Sequence, residues 1–229
     1  MKYKAIIFDL FGTLIPSYSE KEQRRIVRSM AAILSASPEP FWEFWSNTFK
    51  ESILGILPDS EAKIRYICNK SGLNPEHENI RKASQLFLDF EARSMIPRPE
   101  AIGVLSALKQ KGYKIGLISD CTANTVVLWQ HTSLKPFFKV TIFSCAVRVK
   151  KPDPRIYHMA LDKLKVKPED CLYVGDGSSR ELTGALKVGM HPVLLGIPDE
   201  INEDNFRIDQ EEWDGVIISA LKEVLDLLE

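Results

Sequence analysis

Short apolar runs alternate with helix-like segments through the second half of this chain, and that alternation restricts the fold more than any other feature. Four runs fit buried strands, at residues 114–119, 140–144, 171–175 and 191–195. Segments with helical periodicity lie around them, at residues 101–111, 153–164, 181–188 and 217–228. Strands that alternate with helices are typical of a parallel sheet covered by helices. The pattern therefore predicts an α/β fold with a doubly wound parallel sheet.

The N-terminal part of the chain adds one strand and then a helical insertion. Residues 4–8 form a continuously apolar, β-prone run that fits a strand buried on both faces. Residues 20–93 carry four groups of apolar side chains at helical spacing, at positions 26, 30, 33 and 34, then 41, 44, 45 and 49, then 64, 67 and 68, then 80, 83, 87 and 90. We therefore predict a Rossmann-like core domain of residues 1–15 and 97–229, with an inserted all-helical domain at residues 16–93.

Composition and charge argue against several classes of protein. The chain has 229 residues, of which 45% are hydrophobic, and this is enough for a large core. Its 30 Lys and Arg residues balance 31 Asp and Glu residues, so no overall field favours nucleic acid or an anionic membrane as a partner. Asp9 interrupts the N-terminal apolar run, and no uncharged stretch reaches the ~18 residues that a membrane span needs. The four cysteines include no Cys-x-x-Cys pair and are expected to be reduced thiols of a cytoplasmic protein.

Polar side chains stand where the predicted strands end or the next helix begins. They are, in chain order, Asp9, Ser119, Asp120, Lys151, Asp176 and Glu181. In an open parallel sheet, ligands bind at the carboxyl ends of the strands. We therefore expect the carboxylates of Asp9, Asp176 and Glu181 to meet the Ser119 hydroxyl and the Lys151 ammonium group at one edge of the sheet, with Asp120 beside them.

Crowded carboxylates of this kind need a cation. Like charges repel, so one of the acids would take up a proton unless a metal ion neutralised the group. Mg²⁺ prefers carboxylate, carbonyl and water oxygens and commonly meets a substrate phosphate. With Lys151 and the Ser119 hydroxyl, the same edge would clamp a phosphoryl group, which Asp9 could attack as a nucleophile. The sequence thus predicts Mg²⁺ as cofactor and a small phosphorylated molecule as substrate.

Four segments of the sequence resemble, in order, the four signature motifs of the haloacid dehalogenase (HAD) superfamily. They read FDLFGTL, LISDCTAN, KKPDPRIYHMAL and CLYVGDGSSRELTGALKVGM. The helical insertion directly after the first motif is similar to the subfamily with a C1-type helical cap, and the likeness covers nearly the whole chain. The resemblance implies a hydrolase whose helical cap lies over the strand ends of an α/β core.

The resemblance also implies the members of a metal site. Asp9 would be the nucleophile, and the backbone carbonyl of Phe11 and the carboxylate of Asp176 would join it around Mg²⁺. Glu181 stands where the family usually has a second aspartate. Its extra methylene favours contact with the ion through water.

The anion-binding residues follow from the same resemblance. Ser119 would donate a hydrogen bond to the phosphoryl oxygens, and Lys151 would hold both the nucleophile and the substrate anion. Asp120, where the family often has asparagine, belongs to the same phosphate-binding group. A further negative charge there is costly unless it is paired or points away, so we assign Asp120 no catalytic role.

Phe11 departs from the pattern of the family's phosphatases. Most of them have a second aspartate at this position, which acts first as general acid and then as general base. General acid–base help is worth about 10²–10⁴ in rate. Acyl, aryl or anhydride phosphates are therefore expected to be better substrates than alkyl phosphates, unless the acid comes from the cap or from the substrate.

Two other functions are compatible with Phe11. In the 2-haloacid dehalogenases of the superfamily an aromatic residue is usual here and the halide leaves without a proton. Those enzymes work without metal, however, and generally lack the pair found here at Gly175 and Asp176. The chain could also be a relative of low activity that binds a phosphorylated ligand or a protein partner. The metal-type acids favour the phosphatase, and the sequence predicts no particular substrate or oligomeric state.

Overall fold

A parallel sheet forms the centre of the fold. The computed structural model describes residues 2–198 and 207–228. In these residues the strands are β1 (Ala5–Phe8), β2 (Lys114–Ser119), β3 (Val140–Phe143), β4 (Cys171–Gly175), β5 (His191–Leu195) and β6 (Val216–Ile218). Their order is β3-β2-β1-β4-β5-β6 and every neighbouring pair is parallel, which confirms the predicted doubly wound sheet. The chain order reverses between β1 and β4, and this opens a crevice at their carboxyl ends.

Helices connect the strands and form the insertion after β1. They are α1 (Glu20–Ile33), α2 (Pro38–Asn47), α3 (Phe49–Ile53), α4 (Ser60–Lys70), α5 (His77–Ser94), α6 (Ala101–Gln110), α7 (Ala123–Trp129), α8 (Ser144–Val147), α9 (Pro154–Leu164), α10 (Glu181–Lys187) and α11 (Ile208–Glu212). Short 3-10 helices lie at Lys135–Phe137, Pro168–Asp170, Ser178–Arg180, Leu221–Val224 and Asp226–Leu228. Among the described residues, none of the helices combines the length and apolar character that crossing a bilayer requires.

Two apolar cores cover the two faces of the sheet. Alternate side chains of β1 point to opposite faces, so Ile6 and Phe8 belong to one core and Ala5 and Ile7 to the other. The first core includes buried side chains of α6, and the second includes those of α9 and α10. Because both faces are covered, the strands are apolar throughout, as in other parallel sheets. Burial on both faces keeps the strands apolar, so the polar residues lie just beyond the strand ends.

Helices α1 to α5 pack around a third apolar cluster. Its members include Ile26, Met30, Phe41, Trp45, Ile64, Ile67, Phe87 and Phe90. Ser19 caps α1 by accepting a hydrogen bond from Glu22 N at 3.4 Å, and Asp59 caps α4 by accepting one from Ala62 N at 2.7 Å. The segment predicted to hold four helices has five in the structure, because α3 follows α2 directly after Thr48. The division into a core domain and a cap domain at residues 16–93 stays a prediction.

The prediction of a helix at residues 217–228 is wrong. The structure has the edge strand β6 there, paired with β5, followed by two short 3-10 helices. The three residues of β6 are all β-branched, which favours a strand. Apolar Leu221 and Val224 are three positions apart and both buried, a spacing that a 3-10 turn satisfies as well as an α-helix.

Helix α7 was not predicted from the sequence. Thr125, Val126 and Val127 lie in it, and β-branched residues lower helix propensity. Burial of Thr125 and Trp129 in the fold outweighs that local preference. Ser144, predicted to end a strand, instead begins the short helix α8.

Two helical glycines provide a test of how tightly α10 packs against α9. A Cβ added at Gly184 would lie 2.5 Å from the Tyr157 hydroxyl oxygen and 2.9 Å from Pro152 Cβ, whereas one at Gly103 of α6 meets nothing within 4 Å. We expect Gly184→Ala to lower the free energy of unfolding by about 1–3 kcal/mol through overpacking. Gly103→Ala should raise it by up to about 1 kcal/mol through helix propensity. Guanidinium denaturation measures both, and a Gly184→Ala variant as stable as the parent would contradict the packing.

Candidate active site

Three carboxylates follow the strands around the crevice. Asp9 comes directly after β1, Asp120 after β2 and Asp176 after β4. The register places the last residue of β1 opposite Leu117 of β2 and Val174 of β4. These strands therefore end within two residues of the same level. The parallel sheet thus brings Asp9, Asp120 and Asp176 to one edge.

Lys151 lies between two buried carboxylates. Its ammonium nitrogen is 2.5 Å from Asp9 Oδ1 and 2.6 Å from Glu181 Oε2, and none of the three side chains is more than 5% exposed. Burial alone would lower the pKa of Lys151, but the negative charges of Asp9, Glu181 and Asp120 outweigh it and raise the pKa well above the ordinary value. Lys151 is therefore a permanent positive charge at the centre of the site.

The Asp9 carboxyl group is more basic than that of an ordinary aspartate. Burial raises its pKa to about 6, with the nearby charge of Asp176 adding to the effect and Lys151 opposing it. Its second oxygen accepts a long hydrogen bond of 3.4 Å from the Thr13 hydroxyl. At neutral pH the carboxylate form still predominates, as a nucleophile requires.

Glu181 uses both of its oxygens within the protein. Oε2 accepts hydrogen bonds from Lys151 and, at 2.8 Å, from the Tyr173 hydroxyl, while Oε1 accepts one of 3.1 Å from Gly177 N. Burial raises the pKa of Glu181 well above its ordinary value, although Lys151 opposes this. Glu181 therefore orients Lys151 and the loop after β4, which leaves it poorly placed to ligate an ion directly.

Asp176 forms an ion pair with Arg207, a residue that was not predicted from the sequence to belong to the site. Its Oδ2 lies 2.7 Å from Arg207 Nε, and its Oδ1 accepts a hydrogen bond of 3.0 Å from Ser178 N. The Arg207 guanidinium also donates to Ser17 Oγ at 2.8 Å. No motif marks Arg207, which is 31 positions from Asp176 in the sequence. Two buried cations, Lys151 and Arg207, thus face the four acids of the site.

The donor set suits Mg²⁺. One carboxylate oxygen from each of Asp9, Asp176 and Glu181 lies within 4.8 Å of the others. The Phe11 carbonyl accepts no hydrogen bond from any residue in the ranges 2–198 and 207–228. Hard oxygen donors of this kind are those that Mg²⁺ prefers. Asp9, Asp176 and the Phe11 carbonyl could hold the ion, which would share Asp176 with Arg207.

Ser119 and Asp120, which end and follow β2, differ in their hydrogen bonding. Ser119 Oγ is fully buried, lies close to the Cys121 thiol, and makes no hydrogen bond of standard geometry in the described part of the chain. Asp120 Oδ1 accepts a hydrogen bond of 3.1 Å from Lys151 N. Burial raises the pKa of Asp120, and Lys151 opposes the shift. Asp120 is therefore paired with the backbone of Lys151 and helps to position it, while its contact with phosphate stays a prediction.

A cavity of about 470 Å³ extends from the strand ends to helices α1 to α5. Asp9, Phe11 and Lys151 line one end of it, and aromatic residues of the helices, including Trp42 and Trp45, line the other. The Phe11 ring packs against Tyr18, with 4.9 Å between ring centroids. The volume of the cavity falls in the range of small-molecule sites, about 300–1,000 Å³. The position of the expected nucleophile at its base makes this cavity the candidate active site.

The family of the chain follows from comparison with known proteins. Residues 3–189 match the family model described as haloacid dehalogenase-like hydrolase. The chain therefore belongs to this family of hydrolases, and the expected family is confirmed.

Relatives in this family carry two kinds of activity in their names. Glyceraldehyde 3-phosphate phosphatase of Methanopyrus kandleri is 29% identical over 200 residues, which span 84% of this chain and 83% of that protein. (S)-2-haloacid dehalogenase H-109 of Pseudomonas putida is 25% identical over 196 residues, or 81% and 82% of the two chains. A solved 2-haloacid dehalogenase from Pseudomonas syringae pv. Tomato DC3000 superposes with a TM-score of 0.75 at 21% identity, over 99% and 98% of the chains, and supports the fold alone.

Gly12 provides a test of the Asp176 position. Its φ is +79°, and an added Cβ would overlap the Asp176 carboxylate. Gly72 is a matched control, because its φ is +67° and a Cβ there meets nothing within 4 Å. We expect Gly12→Ala to weaken Mg²⁺ binding about tenfold or more, measured by calorimetry. Gly72→Ala should only lose about 1–2 kcal/mol of stability, and equal metal affinity in the two variants would remove Asp176 from the proposed ion site.

Proposed function

We propose that this chain is a Mg²⁺-dependent phosphatase of a small phosphorylated molecule, with Asp9 as its nucleophile. The observation that carries the proposal is the buried contact of Asp9 with Lys151, 2.5 Å apart, at the base of a cavity and beside Asp176. A carboxylate, a fixed cation and a set of oxygen donors for a metal are the parts that phosphoryl transfer needs. The phosphatase name of the relative from Methanopyrus kandleri supports the same activity.

Each residue of the site has a separate role in the proposed reaction. The Asp9 carboxylate attacks phosphorus, the bond to the leaving oxygen breaks, and an aspartyl-phosphate forms that water then hydrolyses. Lys151 neutralises the anion at the nucleophile, and Ser119 donates its otherwise unused hydroxyl to a phosphoryl oxygen. Asp9, Asp176 and the Phe11 carbonyl would hold Mg²⁺, which would supply further positive charge for the phosphoryl oxygens.

Phe11 sets the preferred substrate. Its side chain lines the cavity beside Asp9 and has no proton to give. A leaving group that departs as a stable anion, such as a carboxylate or phenolate, needs no such proton. Acyl and aryl phosphates are therefore the preferred class. An alkyl ester such as glyceraldehyde 3-phosphate, named for the relative, would need a proton from elsewhere in the cavity or from the substrate itself.

Dehalogenation is the second candidate function. Phe11 suits a reaction whose leaving halide takes no proton, and Arg207 already neutralises part of the charge on Asp176. The Pseudomonas putida relative carries the dehalogenase name. Three clustered carboxylates with an open backbone carbonyl nevertheless favour the metal-dependent reaction.

A substrate panel separates the candidates. Acetyl phosphate, phenyl phosphate, glyceraldehyde 3-phosphate and 2-chloropropionate are each incubated with Mg²⁺ or with a chelator, and phosphate or chloride release is measured. We expect Mg²⁺-dependent phosphate release that is fastest from acetyl phosphate. Chloride release that survives the chelator would establish the dehalogenase instead. If none of the four compounds is hydrolysed, the remaining alternative is that the chain is a relative of low activity that binds a phosphorylated ligand or a protein partner.

Asp9→Asn is the variant to include in that panel. It should abolish turnover while leaving the thermal unfolding curve almost unchanged, because the amide keeps the shape of the side chain but is not nucleophilic. Asp89→Asn, on the exposed side of α5, is the matched control and should keep full activity. Turnover that persists in the Asp9 variant would rule out the nucleophile assignment.

Restoring an acid at position 11 tests the leaving-group argument. Phe11→Asp should raise kcat/KM for an alkyl phosphate by about 10²-fold while changing that for acetyl phosphate little, because only the alkoxide needs a proton. Phe11→Leu, which removes the ring contact with Tyr18 without adding an acid, is the control. An equal gain in the leucine variant would show that the effect comes from the added space.

A further inference from the structure

Two buried charged residues of the helical insertion line the same cavity as Asp9. Lys63 of α4 is 6% exposed and Glu91 of α5 is 3% exposed, and both line the cavity. Burying a charge is costly unless it is paired and hydrogen-bonded. Neither residue takes part in the chemistry proposed above. A structural role alone leaves that cost unexplained, because an apolar pair would pack at least as well.

The Lys63 ammonium has no oxygen partner among the described residues. Its Nζ lies 4.0 Å from the ring centroid of Trp45, and no hydrogen bond or ion pair joins it to a residue in the ranges 2–198 and 207–228. Burial lowers the pKa of Lys63 to about 7, while the charges of Glu91 and Glu51 oppose the shift. Its N–H donors are therefore available to a molecule in the cavity.

Hydrogen bonds from residues that follow β2 hold the Glu91 carboxyl group in place. Asn124 Nδ2 donates to its Oε2 at 2.5 Å and also to Ser60 Oγ at 2.8 Å, and the Thr122 hydroxyl lies 3.5 Å from its Oε1. Burial raises the pKa of Glu91 to about 7, and the hydrogen bond from Asn124 opposes the shift. The carboxyl group is thus fixed in place with acceptor capacity left on Oε1.

Tyr18 adds a second unused donor. Its hydroxyl is buried, lines the same cavity and makes no hydrogen bond within the described part of the chain. Burial and then the charge of Glu91 raise its pKa well above the ordinary value, so it stays protonated. Its ring packs between Phe11 and Phe90, at 4.9 and 5.5 Å between centroids. Tyr18 therefore stands between the Asp9 end of the cavity and Glu91.

We propose that Lys63, Glu91 and Tyr18 form a subsite that binds the hydroxyl- or carbonyl-bearing, uncharged end of the phosphorylated substrate. A hydroxyl group accepts from an ammonium or phenol and donates to a carboxylate, so it satisfies both kinds of group at once. A carboxylate at this end would meet Glu91, and an ammonium group would meet Lys63. The inference rests on the proposed phosphatase function and names its substrate class, a small hydroxylated or hydroxycarbonyl phosphate.

Matched substrates that differ only at this end test the subsite. The two acyl phosphates 2,3-dihydroxypropanoyl phosphate and propanoyl phosphate both release a carboxylate and differ by two hydroxyls. We expect the unaltered enzyme to prefer the dihydroxy compound at least about tenfold in kcat/KM, mainly through KM, because hydrogen bonds to charged groups are among the stronger ones. A ratio near one would overturn the proposal.

Three variants locate the effect. Lys63→Met keeps the length of the side chain without its donors, and Tyr18→Phe removes only the hydroxyl. Each should reduce several-fold the ratio of kcat/KM for the dihydroxy compound to kcat/KM for propanoyl phosphate. Lys82→Met, an exposed lysine on α5, is the control and should keep the full preference. A preference that survives in both Lys63→Met and Tyr18→Phe would place the recognition elsewhere.

Failure of the phosphatase proposal can be told apart from failure of the subsite. If neither acyl phosphate is hydrolysed, the proposed function is wrong, and calorimetry then compares glycerol 1-phosphate with propyl phosphate. Tighter binding of the glycerol compound, lost in Lys63→Met, would still support the subsite. Equal affinities would overturn it.

Discussion

The contact between Lys151 and two carboxylates is the interaction on which the site depends. Asp9 and Glu181 could not both be buried as anions beside Asp176 without a cation, because burial and mutual repulsion each favour the protonated forms. Arg207 offsets the third acid from the other side. Two fixed cations, Lys151 and Arg207, face four acids when Asp120 is included, so the edge of the sheet is short of positive charge. A divalent ion and a phosphoryl dianion would enter such a site together more easily than either alone.

The strands could be predicted from the sequence because burial on both faces leaves a simple mark, a short run of apolar residues. Each of β1 to β5 shows it. The C-terminal segment did not permit the same inference. Its apolar side chains suit an edge strand and two 3-10 turns as well as one helix, and the pairing of β6 with β5 decides between them. Local propensity also hid α7, where burial of Trp129 outweighs three β-branched residues.

The acids of the site could be anticipated for a similar reason. Parallel strands bring their carboxyl ends to one edge, so Asp9 and Asp176 come close although 167 positions separate them. The buried positions of Arg207, Lys63 and Glu91 could not be found in this way. Their sequence neighbourhoods are like those of solvated charges on any helix or loop. Only the tertiary structure shows that these side chains are buried, and burial is what makes them chemically unusual.

Phe11 links the two ends of the cavity and has an electrostatic consequence at Asp9. Burial and the charge of Asp176 already raise the pKa of Asp9 to about 6. An aspartate at position 11 would add a further negative charge near the nucleophile and would raise that pKa again. A neutral ring adds no such charge, and it also removes the proton donor. The same ring holds Tyr18, which stands beside Glu91. The residue that removes the acid beside Asp9 therefore also positions Tyr18.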